Sequence, residues 1–396
     1  MNKPLCYIPW SHLHFSPDGN IFPCCKLIDY NKTYLLGTVK DKLENVWNSE
    51  VYKKIRKELL NGTPGPGCSA SCFRGKNPYY MYVEKNIINN SKDCVKNTLH
   101  DGTAPLNLIA LNVAESNFCN FICTYCNHQN SSSWYNAEAI INGKNPTEKI
   151  INAFNNLNDF KNYYDKIIDT AEYFSFASGE TFFSEGNVYI LKELIRRKRN
   201  DKVKIMFITN LSNLNYKNLN ILNYLSEFSD SNIIASIDTY GKREEYIRFG
   251  TKWDLIEKNR IELLKHPNIK FFTHSVVTNL SISSLPNFHY DWFKKGFLKK
   301  DNLRYIILEH PEYLHVRNIP NNLKQQVIKD LQNYKQFLSD YNTTEANRMS
   351  PSRKIDIIID EINRPTYNLN LLKEKLTQFD DIKKLNYREI FPELIL

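Results

Sequence analysis

Eight residues, Cys119 to Cys126, read Cys-Asn-Phe-Ile-Cys-Thr-Tyr-Cys, a Cys-x3-Cys-x2-Cys spacing. They follow the apolar run Leu108 to Val113, which the pattern predicts to be a buried strand. Iron–sulfur clusters are normally held by four thiolates, so three on one loop would leave one iron of a [4Fe–4S] cluster without a protein ligand. An open coordination position separates a reactive metal site from a structural one, and a small molecule with a chelating amine and carboxylate could fill it. The alternatives are a zinc loop or three buried thiols. Zinc pairs, however, more often come as Cys-x2-Cys answered by a second pair downstream. Four further cysteines, Cys6, Cys24, Cys68 and Cys72, come in two pairs near the N-terminus and are a second set of soft metal ligands. Zinc with four thiolates is one occupant they suit. Cys94 reads as a plain buried thiol.

The elements that must position these residues follow from turn and periodicity signals. Ser16-Pro17-Asp18-Gly19-Asn20 is a turn between His14-Phe15 and Ile21-Phe22, and a hairpin there carries Cys24 back towards Cys6. Leu43 to Leu60 is predicted to be one helix, ended by the Gly62 to Gly67 segment just before Cys68. From about residue 101 strands and helices alternate. The predicted strands are Leu108–Val113, Tyr173–Ala177, Val203–Ile208, Ile233–Ile237, Ile269–Val277 and Leu303–Leu308. Ser132 to Phe154, Asn158 to Ile168, Asn187 to Lys198, Leu219 to Phe228, Trp253 to Leu264 and Leu285 to Phe297 are predicted to be helical. Such alternation implies an α/β fold with a parallel sheet covered by helices. Residues 321 to 396 read as a helical extension without a catalytic motif, either packing material or a substrate-facing lid.

A strand followed by Cys-x3-Cys-x-aromatic-Cys resembles the radical S-adenosylmethionine (radical SAM) superfamily. The resemblance implies a partial (β/α)6 barrel over residues 101 to 320, with chemistry at the carboxyl ends of its strands. It implies a [4Fe–4S] cluster on Cys119, Cys123 and Cys126, with S-adenosylmethionine on the open iron. Ser178-Gly179-Glu180 stands where the superfamily has Gly-Gly-Glu, so Glu180 would accept hydrogen bonds from the cofactor's ammonium. Ser236-Ile237-Asp238, with Arg248 downstream, resembles the Ser-x-Asp-Gly…Arg-Gly segment of SPASM and twitch peptide-modifying enzymes, with Thr239 in place of the glycine. There serine and arginine approach the cofactor carboxylate, a task suited to a guanidinium. Thr209-Asn210 matches a Thr-Asn-Gly motif with Leu211 replacing glycine, which puts Asn210 near the ribose. Tyr125 would lie against the adenine. His128 could serve as a ligand or a base, but reads first as a solvated loop histidine.

Residues 1 to 100 resemble the twitch module, a shortened SPASM domain that carries an auxiliary [4Fe–4S] cluster. The match rests on Cys6, Gly19, Cys24 and the later pair Cys68 and Cys72; the glycine spacing favours Cys24 over Cys25. The pair is Cys-x3-Cys, and the module precedes the barrel instead of following it. The resemblance implies reductive cleavage of S-adenosylmethionine and radical modification of a peptide or protein, with a flavodoxin- or ferredoxin-like electron donor. A nucleotide, sugar or small metabolite as substrate is the alternative, and a non-catalytic iron–sulfur or zinc module is a second.

Composition bounds the remaining classes. The chain has 396 residues, 42% hydrophobic and 13% aromatic, as expected of a globular protein of two or three domains. Its apolar runs are only strand-sized, which argues against a membrane span. The N-terminus lacks the apolar core of a signal peptide, so a cytoplasmic location is expected. Nine cysteines in a reducing compartment point to metal or redox chemistry rather than disulfides. The net charge of +9 is spread along the chain. Its densest block, Arg196-Arg197-Lys198-Arg199, closes a helical pattern, which speaks against a nucleic-acid partner.

Overall fold

The computed structural model describes residues 5–28, 31–68, 85–339, 350–366 and 369–394. The fold is mixed α/β, and the chain divides into two compact units. The first comprises residues 1–117, 150–207 and 216–231, and the second 118–149, 208–215 and 232–396.

In the first unit the N-terminal hairpin forms as its turn residues dictate. His12–Phe15 pairs antiparallel with Asn20–Phe22, and Gly19 takes a φ of +77° that most other residues avoid. The hairpin's outer side pairs with Gly37–Thr38. Its inner strand does something the sequence pattern did not predict: His12–Phe15 runs parallel to Ala110–Val113, with His12 opposite Ala110. Ala110–Val113 pairs with Tyr173–Phe176, and that strand pairs with Lys204–Thr209, all parallel. The cysteine-bearing hairpin and the strand that leads to the three-cysteine loop thus share one sheet.

The predicted helix Leu43 to Leu60 is two helices, Leu43–Trp47 and Glu50–Leu60. Ser49 breaks them apart because its hydroxyl accepts from the Tyr52 N–H and starts a new helix there. Within this pair Arg56 is fully buried, donating to the Pro9 carbonyl at 2.8 Å and stacking over Tyr52 at 4.4 Å. Tyr52 in turn donates to the His12 carbonyl at 2.6 Å, so the helix sets the start of the hairpin strand. Leu157–Thr170 and Glu185–Arg196 cover the sheet, their ends capped by Asn156 and Ser184. The basic block after Glu185–Arg196 is spent on ion pairs, Arg197 with Asp165, Asp169 and Glu193, and Arg196 with Glu193.

In the second unit Ile269–Val277 runs parallel to Leu303–Ile307. A short antiparallel ribbon joins Ile122–Cys123 to Arg248–Phe249. The stretch predicted as helix from Ser132 to Phe154 is helical only as a 3-10 turn, Ser132–Trp134, and the helix Tyr135–Asn142. Gly143, at a φ of +65°, ends it with a left-handed cap. The predicted Leu219–Phe228 helix shrinks to Ile221–Leu225, started by the Asn220 cap. The C-terminal helices Leu369–Lys383 and Tyr387–Ile390 are not a separate layer of packing. Leu372, Leu376, Phe379, Tyr387 and Phe391 form one core with Trp134, Tyr246 and Ile247, against which Tyr125 and Cys126 pack. No helix of the described residues is long and apolar enough to cross a membrane.

Candidate metal and cofactor site

The three-cysteine loop is held by backbone pairing and by a run of hydroxyls just after it. Cys123 pairs with Arg248 in the ribbon, and the Thr124 N–H donates to the Ile247 carbonyl at 2.8 Å. The Ser131 hydroxyl donates to the Phe121 carbonyl at 2.7 Å, Ser133 to the Cys119 carbonyl at 2.7 Å, and Trp134 Nε1 to the Cys123 carbonyl at 3.1 Å. Gly250 lets the ribbon approach. A Cβ there would stand 2.6 Å from Phe121 Cδ1 and 2.8 Å from the Asn120 carbonyl.

The donor set fits an iron–sulfur cluster. Desolvation pushes up the thiols of buried Cys123 and half-buried Cys126, the latter to about 12, and Cys119 adds to the rise in both. Arg248 opposes that rise in both. A metal must therefore displace protons from this loop, with a guanidinium already in place to favour the thiolates. Among the described residues no three His, Cys, Asp or Glu side chains converge on a single-ion position.

Behind the loop lies a buried polar network. Tyr125 donates its hydroxyl to Asp238 Oδ2 at 2.6 Å, and Arg248 Nη1 donates to the Tyr125 hydroxyl oxygen. Asp238 Oδ1 accepts from the Val276 N–H at 2.7 Å. Glu244, which the sequence reading missed, accepts from the Asp238 and Thr239 N–H groups at 3.1 and 3.0 Å and lies 3.7 Å from Arg248 Nε. Burial pushes both carboxyls up, and Arg248 opposes it. For Arg248, burial works against the charge but is outweighed by Cys123, Tyr125, Asp238 and Glu244. The arginine that the family motif singled out is therefore a buried partner of the cysteine loop.

Asn210 joins the same loop, donating to Asn120 Oδ1 at 2.9 Å. Next to it Leu211 holds a φ of +58°, the left-handed backbone that the missing glycine would adopt freely. Ser236 is half-buried, and its N–H donates to the Thr209 carbonyl at 2.8 Å. His128 departs from expectation. It is buried, with its N–H on Glu138 Oε2 at 2.7 Å and its Nε2 3.1 Å from the Lys149 carbonyl.

The other predicted site residues belong to the first unit. Ser178 Oγ donates to the Ser116 carbonyl at 2.7 Å, Gly179 takes a φ of +57°, and buried Glu180 accepts from the Phe182 N–H at 3.1 Å. Cys24 is buried, and that burial pushes its thiol up, with Cys25, Cys6 and Cys68 adding to the rise. Cys25 is exposed. Tyr34 holds the post-helix loop through the Gly67 N–H at 2.9 Å, an approach that a Cβ at Gly67, 2.5 Å from the Tyr34 hydroxyl, would block. Cys72 lies outside the described residues. Cys94 is buried with its thiol on the Pro105 carbonyl, apart from this group in role.

Residues 6–73 match the SPASM iron–sulfur cluster-binding domain. The SPASM segment begins at Cys6 and takes in Cys24, Cys68 and Cys72. No curated protein sequence matches the chain. Among solved structures it is similar to native anSMEcpe with bound AdoMet and a Cp18Cys peptide, at 19% identity, a TM-score of 0.42, and coverage of 61% of this chain and 62% of that one. It is also similar to native anSMEcpe with bound AdoMet (18% identity, TM-score 0.43, 61% and 63% covered). A third is TYW1 with a lysine-pyruvate adduct bound, at 10% identity and a TM-score of 0.33, covering 59% of this chain and 72% of that one. The chain spans less than two thirds of the length of the anSMEcpe structures.

Proposed function

We propose that this chain is a radical SAM enzyme that modifies a peptide or protein. The observation that carries the reading is the loop Cys119–Cys126. It holds three cysteines, backed by the buried Arg248, on a chain whose residues 6–73 match an iron–sulfur domain. Cys119, Cys123 and Cys126 would hold three irons of a [4Fe–4S] cluster and leave the fourth for S-adenosylmethionine. The chemistry such a pair would supply is one-electron cleavage of the sulfonium S–C5′ bond, which would release methionine and leave a 5′-deoxyadenosyl radical to take a substrate hydrogen. The electron comes from a low-potential donor of the flavodoxin or ferredoxin class.

The chain's own residues then orient and enclose. Arg248 and Ser236 would hold the cofactor carboxylate, Asn210 the ribose and Tyr125 the adenine. Glu180, on the turn that Gly179 permits and Ser178 ties down, would serve as an acceptor for an ammonium. Asp238 and Glu244 keep Arg248 charged and aimed. Cys6, Cys24, Cys68 and Cys72 would hold an auxiliary cluster in a twitch-like module over residues 1–100, ahead of a partial (β/α)6 barrel at 101–320 and a helical region at 321–396. A peptide or protein substrate follows from the SPASM match, since such domains most often accompany that work.

The test is iron and sulfide content after anaerobic reconstitution, with 5′-deoxyadenosine release on adding reductant and S-adenosylmethionine. About eight irons per chain plus deoxyadenosine is the expected result. About four irons, with zinc present and deoxyadenosine still formed, would make the N-terminal thiols a structural site. Full clusters without deoxyadenosine would overturn the catalytic reading.

A further inference from the structure

Lys383 closes the helix Leu369–Lys383 and is only 4% exposed. Burying an ammonium is costly, so its surroundings must replace water. Its Nζ donates to the Tyr246 carbonyl at 2.7 Å. It also lies 4.2 Å from the centroid of the Tyr246 ring, 4.5 Å from that of Phe379 and 6.0 Å from that of Phe249. Ring faces attract a cation through their quadrupole and offer a neutral amine no such gain, so this cage is built for the charged form. The acid beside it, Asp380, is engaged elsewhere, accepting from the Tyr246 hydroxyl at 2.8 Å and the Tyr387 N–H at 3.0 Å.

Lys383 also reaches the ribbon that carries Cys123, because Phe249, whose ring lies 6.0 Å from its Nζ, pairs with Ile122. Burial pulls the lysine down to about 7, while Cys123 and Asp380 push it back up. The link is also structural. The carbonyl that Lys383 holds belongs to Tyr246; the next one, of Ile247, accepts from Thr124, and the next residue, Arg248, pairs with Cys123.

We propose that Lys383 is a positioning residue for the three-cysteine loop, a caged positive charge against the ribbon that pairs with Cys123, which makes the bound cluster easier to reduce. The inference rests on the cluster proposed for Cys119, Cys123 and Cys126. Reduction adds one negative charge, and a cation held in a dry, poorly screened site stabilises the reduced form. The C-terminal helix would thereby set the electron affinity of a centre that lies more than two hundred residues earlier in the chain.

The experiment is a redox titration, followed by electron paramagnetic resonance, of the full chain reconstituted anaerobically. Lys383→Gln keeps a donor for the Tyr246 carbonyl but removes the charge, and Lys383→Arg keeps the charge. The expected result is a tenfold shift of the one-electron equilibrium towards the oxidised form in Lys383→Gln, about 59 mV, with Lys383→Arg close to the parent. Equal titration of all three, or equal shifts in both variants, would overturn the proposal. Should Lys383→Gln not load iron, Asp380→Asn removes the opposing charge and is expected to shift the equilibrium the other way; no shift overturns the proposal too. A parent chain whose reducible signal survives Cys123→Ala marks a different failure, that of the cluster assignment itself.

Discussion

The Tyr125 hydroxyl donates to Asp238 Oδ2 at 2.6 Å across 113 residues of sequence. That bond ties the middle of the cysteine loop to a carboxylate with no exposed surface. Tyr125→Phe leaves the Asp238 oxygen without its donor, and a buried unpaired acceptor costs about 1–3 kcal/mol. The expected outcome is a lower urea midpoint at unchanged m-value. A double-mutant cycle with Asp238→Asn should show coupling of similar size, because the two share one network.

Gly250 should tolerate no side chain. Its φ of +113° is strained for any L-residue, and its Cβ would collide with Phe121 and with the Asn120 backbone. Strain and overpacking together cost about 2–4 kcal/mol. Gly250→Ala is therefore expected to lower stability in denaturant titration. It should also reduce iron retained after reconstitution, because the atoms that must move belong to the cysteine loop.

The N-terminal thiols give a contrast between neighbours. Cys24 is buried and within the influence of Cys6 and Cys68, whereas Cys25 is exposed. Cys24→Ala and Cys68→Ala are each expected to lower iron by about four atoms per chain and leave S-adenosylmethionine cleavage measurable. Cys25→Ala should leave iron content unchanged. Loss of iron in Cys25→Ala but not in Cys24→Ala would reverse the assignment.

A pH dependence follows from His289, whose Nδ1 lies 2.6 Å from the Tyr334 hydroxyl and whose Nε2 has no partner. Burial pulls it down to about 3. As pH falls below 6.5 the unfolded chain takes up the proton first, so stability is complete above 6.5 and is lost progressively towards 3. At pH 5 the loss from this residue is about 2 kcal/mol. Denaturant titrations at pH 7 and pH 5 should therefore show a smaller drop in His289→Gln than in the parent.

What could be read along the chain was local. The hairpin at Ser16 to Asn20, the strand before Cys119 and the strand Ile269–Val277 are written in turn residues and apolar runs, and the structure has them. The misread helices failed at their ends. Ser49 and Gly143 outweighed an apolar periodicity that ran on past them, because one cap or one left-handed residue ends a helix whatever its face looks like. Its place in a loop put His128 in solvent, since nothing near it in sequence announces that Glu138 and Lys149 will enclose it.

By itself the sequence determined the chemistry on offer: three thiols on one loop and a second set near the N-terminus. Spacing along a chain decides which ligands can share a loop, and that survives any packing. Only the tertiary structure decided what stands around them. It aligned His12–Phe15 with Ala110–Val113, buried Arg248 between Asp238 and Glu244, and brought Lys383 from the helix Leu369–Lys383 to the Tyr246 carbonyl. Those partners lie far apart in sequence, and burial, not proximity along the chain, obliges each charge to find another.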